Sequence, residues 1–208
     1  MTIFDGRIAL AKQIGEDEVI AEFLRAEFNS ERAGPSLRQA AEDFGVGSRV
    51  IIDPDFDSKE EREARRQLAE RYAGWGADHG VCGGLPTETV TWWLAYLDRE
   101  VIGAVEVIRW LVEEFPDQFP ARGLGGLRGA RLRKRGRGQP PEAVRLTQAL
   151  AEGSLARPVV ITTPDLQRLV VLEGHNRLFA YALLGTDCPA QIDLILGVTP
   201  VAHRWSEW

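Results

Sequence analysis

The sequence has little from which to build a covalent or metal-held scaffold: two cysteines, Cys82 and Cys188, and three histidines in 208 residues. Two cysteines in no pairing pattern exclude a disulfide framework and point to a reducing compartment. His79 and Cys82 are separated by two residues, but no second pair completes a zinc site. No apolar run is long enough to cross a bilayer. The N-terminal stretch MTIFDGRIALAKQIGEDE acquires acids early and lacks the hydrophobic region of a signal peptide. Internal repeats and low-complexity tracts are missing too. A net charge of -6 excludes a generic polyanion binder. These absences together predict a cytoplasmic protein that does not enter the membrane.

What is present is ordinary globular material. Hydrophobic residues make up 44% of the chain, enough to bury a core in one domain or two small ones. Charge is distributed unevenly. Residues 1–100 hold 20 acids against 12 Lys or Arg, whereas 122–137 hold seven bases and no acid. The asymmetry predicts an acidic, mainly α-helical region over 1–119 and a basic-then-β unit over 120–208.

In the first region the spacing of Ile14, Val19, Ala21, Phe23 and Leu24 predicts a helix within 8–28. SLRQAAEDFG (36–45) reads as a short helix closed by Gly45, and RVIIDPDF as an extended piece. A surface helix follows over 57–76, capped by Asp57 or Ser58 and ended by Gly74 or Gly76. LPTETVTWWLAYLDREVIGAVEVIRWLVEEF (85–115) reads as two helices, or one bent near Gly103. The alternating acids of DPDFDS (53–58) resemble a calcium loop, but Ser58 and Ala64 stand where a glycine and a bidentate Glu are needed. Helix capping is the better reading. The glycine-dense stretch 72–84 reads as a mobile loop able to cover a substrate, and Trp205 as an aromatic that docks back onto the body.

In the second region, residues 123–139 form a Gly- and Arg-rich loop, with a short strand at 130–132. PPEAVRLTQALAEG (140–153) is a helix opened by Pro. RPVVIT and RLVVLE are strands around a turn, NRLFAYALLG is a helix ended by Gly185, and AQIDLIL alternates with Ile192, Leu194 and Leu196 on one face.

The most informative stretch is VVLEGHNRL. An acid, a glycine, an imidazole, an amide and a guanidinium stand in a row where a strand passes into a helix. A helix N-terminus attracts anions, and Gly174 allows a sharp turn and close ligand approach. Arg177 offers planar donors suited to phosphate, and His175 can donate to phosphate or exchange a proton. Glu173 can accept a proton from a hydroxyl or help place hydrated magnesium. The plainer alternative is structural: Glu173 caps the helix, Arg177 pairs with it, and His175 is a turn residue.

The order of basic loop, helix, RPVVIT, turn and LVVLEGHNRLFAYALLG resembles the ParB/sulfiredoxin superfamily over about residues 120–198. The resemblance implies an α+β fold: a small mixed sheet with helices, preceded here by the mainly helical region. It implies nucleotide binding, since the family includes partition proteins using CTP, sulfiredoxins using ATP, and kinases of free serine. Carried onto this chain, Gly174, His175 and Arg177 match the phosphate turn, and Asn176 lies within it. Glu173 matches the acid of the serine-kinase branch, which is nearest in motif. Arg135 and Arg137, flanked by glycines, match the upstream arginine segment near the nucleotide.

The departures are informative. His175 replaces the sulfiredoxin nucleophilic cysteine, which disfavours thiol chemistry, and Asn176 replaces a second histidine of the serine kinases. The helix-turn-helix reader of the partition branch has no counterpart in the residues after Gly185, which disfavours DNA partitioning.

The implied function is an ATP- or ADP-dependent phosphotransferase with Mg2+, acting on a small hydroxyl-bearing acceptor. Glu173 and His175 would be catalytic, and Gly174, His175, Asn176, Arg177, Arg135 and Arg137 would bind the nucleotide. The alternatives are a nucleotide-binding switch without transfer, and a nucleic-acid-acting protein using the basic loop, which could also be a solvated surface loop. Cys188 reads as buried rather than reactive.

Overall fold

The structure, a computed structural model, describes residues 4–30, 34–80, 82–114, 116, 122–124 and 156–208. The strand at 130–132 and the helix at 140–153 expected from sequence lie outside these residues, as do Arg135 and Arg137.

The described residues form one mixed sheet in the order β1-β2-β5-β3-β4. Its strands are β1 (Ile8–Ile14), β2 (Thr91–Asp98), β3 (Val159–Thr162), β4 (Leu169–Glu173) and β5 (Gln191–Val198). Neighbours are antiparallel except β3 and β5, which run parallel, with Val159 opposite Ile195 and Thr162 opposite Val198. The helices are α1 (Glu16–Phe28), α2 (Gly34–Asp43), α3 (Arg49–Ile52), α4 (Lys59–Ala73), α5 (Arg109–Glu114) and α6 (His175–Leu184). Together they make a mixed α+β fold. No helix among the described residues is long and apolar enough to cross a membrane.

Strand alternation divides the core between the two faces of the sheet. Val159, Ile161, Trp92 and Ile195 pack with α1, α2 and α4 in one cluster. Val160, Ala95, Leu97, Ile192, Leu194 and Leu196 pack with α6 and the 3-10 turn Arg99–Ala104 in the other. Both faces of β5 are therefore covered, and from Leu194 to Gly197 every residue is buried. The Ile192, Leu194, Leu196 face read from the sequence lies in the α6 cluster.

Three sequence expectations are corrected. TWWLAYL is not helical but forms β2, at the centre of the antiparallel part of the sheet. Its neighbouring tryptophans point to opposite faces, with Trp92 in the α1–α4 cluster and Trp93 against the α6 cluster. Aromatic residues suit a pleated, partly buried strand. The helix expected to begin near Ile8 begins only at Glu16. Residues before Gly15 form edge strand β1, and the Gly15 N–H donates to Glu18 Oε2 at 2.8 Å to start α1. RVII is a short helix rather than extended chain, stopped at Asp53 (φ -133), which precedes Pro54 and is biased away from helix. Two strands thus come from the region expected to be mainly helical, and they join the same sheet as β3, β4 and β5.

Ser58 caps α4 by accepting from the Glu61 N–H at 3.2 Å, and Gly74 ends the helix at φ 73. Asp55 Oδ1 accepts the N–H groups of Asp57 and Ser58, so DPDFDS is a capping loop. The stretch after α4 is pinned rather than an open cover. Cys82 N–H donates to the Ala73 carbonyl at 3.1 Å, and Gly84 N–H to that of Ala77 at 2.8 Å. A β-carbon on Gly74 would lie 1.5 Å from the His79 carbonyl oxygen, so only glycine allows this fold-back. Trp205 is buried, as its aromatic character predicts.

Candidate functional site

The strand–helix junction forms as its sequence predicts. The apolar run of β4 ends at Glu173, the chain turns at Gly174, and α6 starts at His175. Gly174 holds φ 93, in the left-handed region, and a β-carbon there would lie 2.8 Å from Pro158 Cα. Conformation and space both require glycine at this turn. As the helix N-cap, Gly174 brings no side chain to satisfy the first-turn N–H groups, unlike Ser58 at α4.

Arg177 is buried, one turn into α6, and its fork is filled. Nη1 donates to the Ala156 carbonyl at 2.5 Å and more distantly to that of Arg157 at 3.5 Å. Nη2 donates to Glu173 Oε2. The Glu173 and Arg177 side chains are 14% and 8% exposed, so the pair is largely withdrawn from water. Burial pushes the Arg177 guanidinium down to about 10, opposed by the nearby charges of Glu27 and Glu22. It remains a cation at neutral pH. His175 is half-buried at the helix start and Asn176 is exposed beside it.

A second wall comes from α1, which the sequence gives no reason to place here. Glu22 Oε1 accepts the Arg157 N–H at 2.9 Å and lies 3.8 Å from its Nη1. Its other oxygen accepts from Arg25 Nη1 at 3.3 Å. Glu27 accepts the Tyr72 hydroxyl at 3.0 Å. Helix α1 therefore holds the 156–158 segment on which the Arg177 guanidinium rests. One turn along α6, Tyr181 is held above its ordinary value, chiefly by burial. Glu22, Glu27 and Arg157 carry no motif. The one available signal is the acid density of α1, which alone marks nothing.

The structure thus brings Glu173, Gly174, His175, Asn176 and Arg177 together at one turn. Within that turn it realises the pairing that the structural alternative describes. Arg135 and Arg137 lie outside the described residues. Among the described residues, no group of three or more His, Cys, Asp or Glu is placed to hold a metal ion. Cys82 and Cys188 are buried free thiols. Burial pushes the Cys82 thiol up to about 12, and the Cys188 thiol is also raised by burial.

Comparison with protein families, with curated proteins and with solved structures finds no match.

Proposed function

We propose that the chain is a nucleotide-dependent phosphotransferase acting on a small hydroxyl-bearing metabolite, with a ParB/sulfiredoxin-like unit over 120–198 binding ATP or ADP. One observation carries the reading. The left-handed Gly174 joins a strand-end carboxylate directly to the start of a ten-residue helix. Such a turn directs backbone N–H groups and the positive end of the helix dipole toward one point, where an anion is stabilised. Glu173, the last residue before the turn, has the chemistry of a general base. Phosphoryl transfer needs mainly charge neutralisation and in-line placement, and a turn of this kind can supply both.

The donor set suits a phosphate, with Gly174, His175, Asn176 and Arg177 as the binding residues and the sequence-assigned Arg135 and Arg137 adding charge. Magnesium keeps several waters and needs few protein carboxylates, so Glu173 beside nucleotide phosphates suits it without a protein cage. When bound, the nucleotide would supply the transferable phosphoryl group. In this reading Glu173 takes the proton of the acceptor hydroxyl, His175 donates to phosphate oxygen, and the backbone of the turn orients the chain of phosphates.

The second reading, a nucleotide-binding switch without transfer, is favoured by the engagement of Glu173 with Arg177, which occupies the assigned base. Incubation with γ-labelled ATP and a panel of hydroxyl-bearing metabolites separates the two. The phosphotransferase labels an acceptor, and Glu173→Gln stops the labelling while the protein still binds nucleotide. Parallel loss of binding and transfer in that variant removes Glu173 from the role of base. Binding by the wild type with no labelled acceptor leaves the switch.

A further inference from the structure

The Glu173–Arg177 pair places the assigned base and the assigned phosphate ligand against each other, four residues apart across the first turn of α6. While the pair is closed, Nη2 of Arg177 and Oε2 of Glu173 are engaged with each other. Three features make the contact an exchangeable one rather than a brace alone. First, the two arms of the guanidinium have different partners: Nη1 rests on the backbone carbonyl of Ala156, and Nη2 reaches the carboxylate. Nη2 can change partner while Nη1 keeps its own. Second, the carbonyl platform is itself fixed, because Glu22 of α1 holds the Arg157 N–H. Third, the pair is largely withdrawn from water, so opening it to solvent leaves two poorly hydrated charges. A second anion at Nη2 keeps the guanidinium paired, and the displaced carboxylate, left poorly hydrated, takes up a proton more readily, as a base must. A phosphate oxygen meets that requirement and accepts well from a guanidinium arm.

We propose that the Glu173–Arg177 pair is a latch worked by the nucleotide phosphate: a phosphate oxyanion takes the Nη2 donor of Arg177 and thereby releases Glu173 to act as base. The inference rests on the phosphotransferase reading above and adds its regulation. It makes nucleotide binding the step that arms the site, so the acceptor hydroxyl meets a free carboxylate only when a phosphoryl donor is in place. It also lowers the apparent affinity for nucleotide, because the closed pair must be broken first.

Isothermal titration with MgATP, and separately with inorganic phosphate, tests the latch in three proteins: wild type, Glu173→Gln and Glu27→Gln. Glu27→Gln removes a nearby negative charge, and its amide oxygen can still accept the Tyr72 hydroxyl, so the pair and its carbonyl platform keep their contacts. The latch predicts that Glu173→Gln binds MgATP about tenfold more tightly than wild type, with a gain in the same direction for phosphate. It predicts a clearly smaller change for Glu27→Gln. Binding by Glu173→Gln alone, with none detectable in wild type, also supports the latch. Equal or weaker binding by Glu173→Gln overturns it and leaves the functional reading standing. Equal gains in the two variants overturn it in favour of simple charge repulsion. No binding in any of the three overturns both the latch and the reading beneath it. Should Glu173→Gln fail to fold, Glu173→Asp takes its place, since the shorter carboxylate keeps the charge and loses the reach.

Discussion

The guanidinium of Arg65 is fully buried and forks onto both carboxylate oxygens of Asp17, with Nε to Oδ1 at 3.0 Å and Nη2 to Oδ2 at 2.7 Å. The same side chain lies 3.6 Å from Glu61 and stands over the Phe56 ring at 5.2 Å. It also donates to the Val50 and Asp55 carbonyls at 3.4 Å each. One arginine on α4 thus ties together the start of α1, the short α3 and the capping loop. Replacing it with alanine leaves Asp17 beside a cavity, and a buried pair broken this way typically costs about 3–5 kcal/mol. Urea unfolding should show a loss of that order for Arg65→Ala, and a smaller one for Arg65→Lys, which keeps the charge but not the fork.

At Gly174, alanine meets both a left-handed backbone and the Pro158 ring. Gly174→Ala should lower stability by about 1–3 kcal/mol, measured by thermal or chemical unfolding. At Gly45, also at positive φ but with open space around it, alanine meets the backbone strain alone and should cost less. Equal costs at the two positions would mean that Pro158 does not press on the turn.

The sheet illustrates which parts of the fold the sequence makes legible. β3, β4, α6 and β5 follow from short apolar runs broken by Gly174 and Gly185, because each break is local. β2 does not, because a strand with apolar contacts on both faces carries apolar residues at consecutive positions and loses the period of two. Trp92 and Trp93 are the result. Arg65 is illegible for another reason: an arginine is buried only where a partner waits, and Asp17 is 48 residues away. At the candidate site the turn itself is readable. Its α1 wall is not, since the Glu22–Arg157 bond joins residues separated by 135 positions.

Cys82 gives a pH dependence with a defined sign. Burial raises its thiol from 9.0 to about 12, so at pH 9–12 the unfolded chain ionises this group and the folded chain does not. The unfolded state then binds fewer protons, and stability falls as pH rises through that window, while below pH 9 the contribution is intact. Chemical denaturation at pH 8 and pH 10.5 should show a loss that is smaller in Cys82→Ala. Thiol alkylation at pH 8 should be slow at both cysteines in the folded protein and fast in denaturant.

At the edge of the site, Glu22→Gln should weaken the hold of α1 on the 156–158 segment. Amide exchange at Arg157 reports on this directly, because its N–H donates to Glu22 Oε1. Faster exchange at Arg157, with little change at the central strand β5, is the expected outcome. Unchanged protection at Arg157 would show that the backbone of β3 holds the segment without α1.

The most direct measurement of the central claim is the melting temperature of the wild-type protein against ATP, ADP, CTP and GTP, each with and without Mg2+. The account predicts a rise with an adenine nucleotide in the presence of Mg2+, growing with the logarithm of concentration above Kd as ligand linkage requires. No shift with any nucleotide, at concentrations up to the millimolar range of weak ligands, would contradict it. In that case the Glu173–Gly174–Arg177 turn would serve as structural bracing.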